Sequence, residues 1–134
     1  MEINEYQKIA MTTLNKELNK KDILINGVMG LCGESGEVID IVKKHLSQGH
    51  PLDKEHILDE LGDVAWYLAE TAYALDTDLN TVLENNIKKL KKRYPNGFDS
   101  EKSMSRTTEK WVSVVFLKIC NKLIENACKC IQAV

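Results

Sequence analysis

Apolar residues recur three and four positions apart along almost the whole chain, the spacing that lines one face of a helix. A first such stretch runs about Ile3–Leu18. After the polar break Asn19–Asp22, a second runs about Ile23–His45 and ends near Gly49, His50 and Pro51. A third starts with Asp53 as its N-cap and runs to about Leu75. Asp78 caps a fourth, Leu79–Arg93, which Tyr94-Pro95-Asn96-Gly97 terminates. The polar stretch Asp99–Thr108 leads to a last helix at about Glu109–Gln132. The two prolines, Pro51 and Pro95, fall where a helix must break, and no strand-like alternation or internal repeat stands out. Short connections between helices that can run antiparallel predict an all-α helical bundle.

The wheel of each helix sharpens the picture. Leu31, Val38, Ile39, Ile41 and Val42 define the buried arc of the second helix, and Ile57, Leu61, Val64 and Leu68 the core stripe of the third. The second helix also carries Gly27, Gly30, Gly33 and Gly36. Glycine is costly in a helix interior, so four of them predict close approach of another helix or of a ligand.

Composition narrows the function classes. A chain of 134 residues fits one domain and can bury a sizeable core without disulfides or a structural metal. Twenty acidic and 18 basic residues leave a net charge of −2, which argues against a nucleic-acid binder. No basic, apolar leader opens the chain and no apolar run reaches a membrane span, so a soluble cytoplasmic protein with no membrane partner is expected. Cys32, Cys120, Cys128 and Cys130 lack paired metal-ligand spacing and read as reduced thiols.

The acidic residues are not evenly spread. Glu34-Ser35-Gly36-Glu37 and Glu60-Leu61-Gly62-Asp63 place carboxylates three apart, with 22 residues between Glu37 and Glu60. A spacing of three puts each pair on one helix face. Glu34 falls at the edge of the buried arc with Glu37 just beyond it; Glu60 borders its core stripe with Asp63 a step further out. A carboxylate pressed against a core must be paired or metal-bound. Four carboxylates from two facing helices form an oxygen cage suited to Mg²⁺, with Mn²⁺ as the alternative, and Asp40 is an optional outer ligand. On the fourth helix Asn86 lies within the stripe Leu79, Leu83, Ile87 and Leu90, flanked by Lys89 and Arg93. A buried amide needs partners, and cations beside carboxylates suggest a phosphate held between them and the metal.

With these motifs in order, LCGESGEVIDIVKKHLSQGHPLDKEHILDELGDVAWYLAETAYAL followed by NxxKLxxRYPNGF at Asn86–Phe98, the chain resembles the MazG-like nucleotide pyrophosphohydrolases. The resemblance covers about Asn4–Arg106 and implies a helical domain over residues 1–106. It implies cleavage of a nucleoside triphosphate between the α and β phosphates, giving a monophosphate and pyrophosphate. Mg²⁺ would be held by Glu34, Glu37, Glu60 and Asp63, while Asn86, Lys89, Arg93 and Tyr94 would touch the substrate. Metal-assisted hydrolysis follows, with Glu34 or Glu37 taking the proton of the attacking water and Lys89 and Arg93 stabilising the leaving pyrophosphate. The role implied is removal of aberrant or surplus nucleotides, in a homodimer or homotetramer that completes the bundle.

Trp66 and Tyr67 are candidates to stack a base, although packing is the commoner role for aromatic residues on such a helix; Tyr6 and Gln7 rank lower. His45 and His50 are expected to face solvent. Residues 107–134 extend past the family pattern as an amphipathic helix, Trp111 to Ile131, that must cover its apolar surface on the domain or on a partner subunit. The competing function is a non-catalytic helical module that binds nucleotide or metal. A di-iron carboxylate bundle is disfavoured because no Glu has a His three residues later.

Overall fold

A computed structural model describes residues 1–104 of the chain. The last helix expected from the sequence, Glu109–Gln132, with three of the four cysteines, lies outside the described residues. The chain divides into two units, Met1–Lys89 and Leu90–Val134. All-α is the observed class: α1 (Ile3–Ala10), a 3-10 turn (Met11–Thr13), α2 (Lys20–Gln48), α3 (Lys54–Ala74), α4 (Leu79–Arg93) and α5 (Ser100–Met104).

Helix boundaries follow local chemistry. The Asn19 side chain accepts from the backbone N–H groups of Lys21 and Asp22 and starts α2. Gly49, at φ 73°, ends it in the left-handed conformation that favours glycine. Asp53 accepts from the His56 N–H at 3.0 Å and starts α3. Asp78 takes both the Thr81 N–H and hydroxyl at 2.8 Å and starts α4.

The first helix is shorter than its apolar pattern suggests. Rather than running to Leu18, α1 stops at Ala10 and the chain turns extended at Leu14. Two adjacent threonines compete with the helical ladder here: the Thr12 hydroxyl donates to Ile9 O and that of Thr13 to Ala10 O, both at 2.7 Å. The Trp66 indole N–H, reaching over from α3, bonds the same Ala10 carbonyl at 3.2 Å and Thr13 Oγ1 at 2.9 Å.

The first unit is organised around the α2–α3 pair, with α1 on α3. A methyl group at Gly27 would meet Thr71 Oγ1 at 2.6 Å, and one at Gly30 would meet the Tyr67 ring at 2.1 Å. Gly27 and Gly30 thus let α3 lie close against α2. Gly33 and Gly36 face open space. In both close pairs the α2 number rises as the α3 number falls, so the helices run antiparallel. The register that puts Tyr67 over Gly30 carries Glu34 to Asp63 and Glu37 to Glu60 one and two turns further on.

The buried residues are mostly small or polar: Ala10, Ala69, Ala72 and Ala74, with Gln7, Glu60 and Glu70, and only Ile23 and Leu79 among the large apolar ones of the described residues. Gln7 joins three elements. Its Oε1 accepts the Leu79 N–H at 2.7 Å while its Nε2 donates to Ala69 O at 3.3 Å and Thr77 O at 3.4 Å. It therefore satisfies an orphan donor at the start of α4 and belongs to the scaffold rather than to a base pocket.

The large apolar residues depart from expectation. Leu31, Val38, Ile41, Val42, Ile57 and Val64 are half-buried as their stripes predict. Ile39, Leu61 and Leu68 are instead exposed, at 66, 48 and 39%. On α4, Leu79 is buried, but Val82, Leu83, Ile87 and Leu90 are open. Asn86 is exposed with them, so the buried amide inferred from its place in the stripe is not present. A stripe records that a helix has something to bury; one chain's described helices do not supply enough layers to cover every stripe.

In the second unit, the Tyr94 N–H donates to Leu90 O at 2.8 Å, and Gly97, at φ 92°, closes a turn on Tyr94 O at 3.2 Å. The Tyr94 and Phe98 rings pack with centroids 5.7 Å apart. Asp99 accepts from the Lys102 N–H at 3.1 Å at the start of α5, inside the stretch read as a polar linker.

Candidate metal centre

Two helices in antiparallel register, each with carboxylates three residues apart, must bring acids face to face. Oxygens of Glu34, Glu60 and Asp63 lie within 4.8 Å of one another. Within the same span, a second group joins Glu37, Glu60 and a nitrogen of His56. Glu60 is common to both, and only 8% of it is exposed. Glu34 is half-buried, whereas Glu37 and Asp63 open to solvent. The four carboxylates singled out by spacing thus fall in two groups joined through Glu60.

Their electrostatics call for a positive charge. Burial, a hydrogen bond with Glu60, and repulsion from Glu37, Asp63 and Glu60 together raise the Glu34 carboxyl above its ordinary value. Two acids this close share a proton or take a cation between them in its place. The donor set fits a hard divalent ion, being carboxylate oxygen with at most one imidazole. Asp40 does not join either group. It is ion-paired with Lys43 and, at 2.6 Å, with Lys44, and these lysines hold its carboxyl down to about 2.

Two recesses flank the carboxylates. The larger, about 570 Å³, is lined by Gly33, Gly36, Glu37, Lys44, His50 and His56 among others. The absent side chains of Gly33 and Gly36 leave room beside Glu37, and Lys44 contributes a cation the sequence pattern did not single out. The smaller, about 320 Å³, is lined by Glu34, Asp63, Trp66 and Tyr67. Trp66 and Tyr67 meet edge to face at 5.0 Å. The Trp66 N–H is already committed to α1, so its packing role is shown, and its ring still forms part of that wall. Burial first, then the charges of Glu34, Glu70 and Asp63, raise the Tyr67 hydroxyl. Tyr6, raised by burial and then by Asp63, is close to the same charge.

A profile of the MazG nucleotide pyrophosphohydrolase domain matches residues 26–98, more than half of the chain. The chain belongs to the MazG family. The match spans all four carboxylates and the end of α4. The Gene 37 protein of Mycobacterium phage L5 is 41% identical over 73 residues, covering 52% of this chain and 64% of that protein. The aligned stretch is thus a little under two-thirds of the relative's length. No solved structure gives a significant match.

Within this MazG domain the remaining expected residues lie on α4 and just after it. Asn86 and Lys89, on α4, are exposed and line neither recess. Arg93 and Tyr94 belong to the second unit, where both are half-buried. His45 and His50 are exposed as expected, though a ring nitrogen of His45 bonds His50 O at 2.8 Å.

Two residues were missed. His56 sits four residues before Glu60, and its Nε2 lies 2.8 Å from Glu60 Oε1; that i, i+4 spacing was visible in the sequence. Glu70 is fully buried, its two oxygens each 3.1 Å from the Asn26 amide nitrogen, and burial raises its carboxyl despite that bond. It is seven residues after Asp63, hence on the same face of α3, and following the acidic face two turns further would have reached it. No helix among the described residues is long and apolar enough to cross a membrane.

Proposed function

We propose that this MazG-family chain hydrolyses nucleoside triphosphates, ribo- or deoxyribo-, between the α and β phosphates, releasing monophosphate and pyrophosphate with the help of Mg²⁺ or Mn²⁺. The observation that carries this is the sharing of Glu60 between two groups of ligand atoms, so that Glu34, Glu37, Glu60 and Asp63 form one acidic floor between two recesses. A divalent cation held by these residues supplies charge to offset the phosphates and makes nearby water more acidic.

The chain's own groups account for the rest. Glu37 is exposed and faces the larger recess, where it can accept the proton of the attacking water. Lys44, in the same recess, can pair with phosphate oxygens at the cost of releasing Asp40. Substrate binding by Asn86, Lys89, Arg93 and Tyr94 rests on the family resemblance of that stretch. The open Leu61, Leu68 and Ile87 support a bundle completed by a second copy, as a dimer or a pair of dimers. We take residues 1–106 as the catalytic domain, residues 107–134 as an addition to it, and clearance of aberrant or surplus nucleotides in the cytoplasm as its role.

The test is pyrophosphate release over the eight common ribo- and deoxyribonucleoside triphosphates, with Mg²⁺ and with chelator. Release that depends on Mg²⁺ and disappears in both Glu37→Gln and Asp63→Asn is the expected result. Full activity in both variants would overturn the site, and silence of the folded, metal-loaded protein across the panel would favour a non-catalytic nucleotide- or metal-binding module.

A further inference from the structure

Glu60 is the most confined member of the acidic floor, and any rotation of its carboxylate alters both groups at once. On one side its oxygen lies within 4.8 Å of oxygens of Glu34 and Asp63. On the other, His56 Nε2 lies 2.8 Å from its Oε1. His56 is the one basic group among these ligand atoms, and it is itself anchored. Its backbone N–H donates to Asp53 Oδ1 at 3.0 Å, in the capped first turn of α3. The cap thus fixes the backbone from which the His56 side chain, 52% exposed, reaches one turn along to Glu60.

We infer that His56 is a positioning residue: its Nε2–H donates to Glu60 Oε1 and holds that buried carboxylate so that its other oxygen faces the cation. The inference rests on the metal-binding part of the proposed function. A 2.8 Å contact between these atoms requires one proton between them, and a Glu60 ionised to hold a cation leaves that proton on Nε2. Both the Nε2–H neutral tautomer and the imidazolium carry one, so the role does not hinge on whether the ring is charged. Direct ligation by His56 is a different chemistry, because Nε2 would need a free lone pair and could no longer donate to Glu60. Partners that orient a metal-binding carboxylate contribute to affinity without touching the ion, and losing one typically loosens the metal by about 10–100-fold.

The experiment is Mn²⁺ titration of the full chain, followed by electron paramagnetic resonance, in the wild type, His56→Ala, His56→Gln and Glu60→Gln, with thermal unfolding of each metal-free protein. His56→Ala should bind Mn²⁺ about 10–100-fold more weakly at an unchanged unfolding midpoint. His56→Gln, whose amide N–H₂ reaches a similar point, should recover most of that loss. Pulsed spectra of wild-type protein should show no coupling from an imidazole nitrogen. Such a coupling, lost in His56→Ala, overturns the inference in favour of direct ligation. So does a His56→Gln protein as weak as His56→Ala. Binding lost in Glu60→Gln but unchanged in His56→Ala overturns this inference alone, while a wild-type protein that binds no Mn²⁺ overturns the metal reading and the inference with it.

Discussion

Adding one methyl group to α2 should change stability in opposite directions at two glycines three residues apart. At Gly33 nothing lies within 4 Å of the new carbon. Alanine there restricts the unfolded chain and suits a helix, so Gly33→Ala should stabilise by roughly 0.5–1 kcal/mol. At Gly30 the same carbon would lie 2.1, 2.3 and 2.4 Å from three atoms of the Tyr67 ring. Ordinary contact is well over an ångström longer, so the ring must retreat or the helices separate. Overpacking of this kind costs about 1–3 kcal/mol, and three ring atoms in conflict put it near the upper end. With the helical gain subtracted, Gly30→Ala should destabilise by roughly 2 kcal/mol, a gap of about 3 kcal/mol between the variants. Urea unfolding at one protein concentration measures this directly. With a slope of about 1–3 kcal/mol/M, the two midpoints should be roughly 1–3 M apart. Coincident midpoints, or a Gly30→Ala protein as stable as wild type, would refute the close α2–α3 packing on which the site's register rests. Tyr67 also walls the smaller recess, so Gly30→Ala should disturb the carboxylate floor as well.

Three further outcomes follow from the same structure. Gln7→Leu leaves the Leu79 N–H without its partner at the buried start of α4, and should cost about 1–3 kcal/mol, read as a lower urea midpoint. Glu70, and Glu34 with it, hold their protons more tightly folded than unfolded. Their contribution to metal-free stability should therefore be fully present below about pH 4.3, the ordinary glutamate value, and be lost as pH rises through their raised values. Glu70→Gln should flatten that fall and raise the melting temperature at neutral pH; an unchanged pH slope would contradict it. Mg²⁺ at about 100 times its dissociation constant should stabilise the wild type by about 2.7 kcal/mol at pH 7, reversed by chelator and absent in Asp63→Asn, as thermal melts would show.

How far the sequence reached can be judged residue by residue. Asp53 and Asp78 mark helix starts because a cap acts over three residues and requires nothing from elsewhere in the fold, whereas Asn19, read as part of a polar break, caps α2 at Lys20, ahead of the expected start at Ile23. The all-α class and the face carrying Glu34, Glu37, Glu60 and Asp63 follow from the same short-range spacing. The carboxylate pairs were legible as pairs, and the MazG pattern around them was legible as a resemblance. The premature end of α1 was also local in origin, but it required weighing two threonine hydroxyls against an apolar pattern that favoured continuation.

Burial and partnership were decided elsewhere. The sequence alone determined that helices form, where α3 and α4 begin and which faces carry acid, because these are properties of one stretch of backbone. Only the tertiary structure decided that Tyr67 lies over Gly30, that this register joins the two carboxylate pairs through Glu60, and that Glu70 is sealed against Asn26. Only it showed that Leu61, Leu68 and Asn86 stay open although their stripes called for cover. A periodic pattern states what a helix can bury, while the distance of closest approach between two helices sets what it does bury. That distance here depends on the side chains that Gly27 and Gly30 lack.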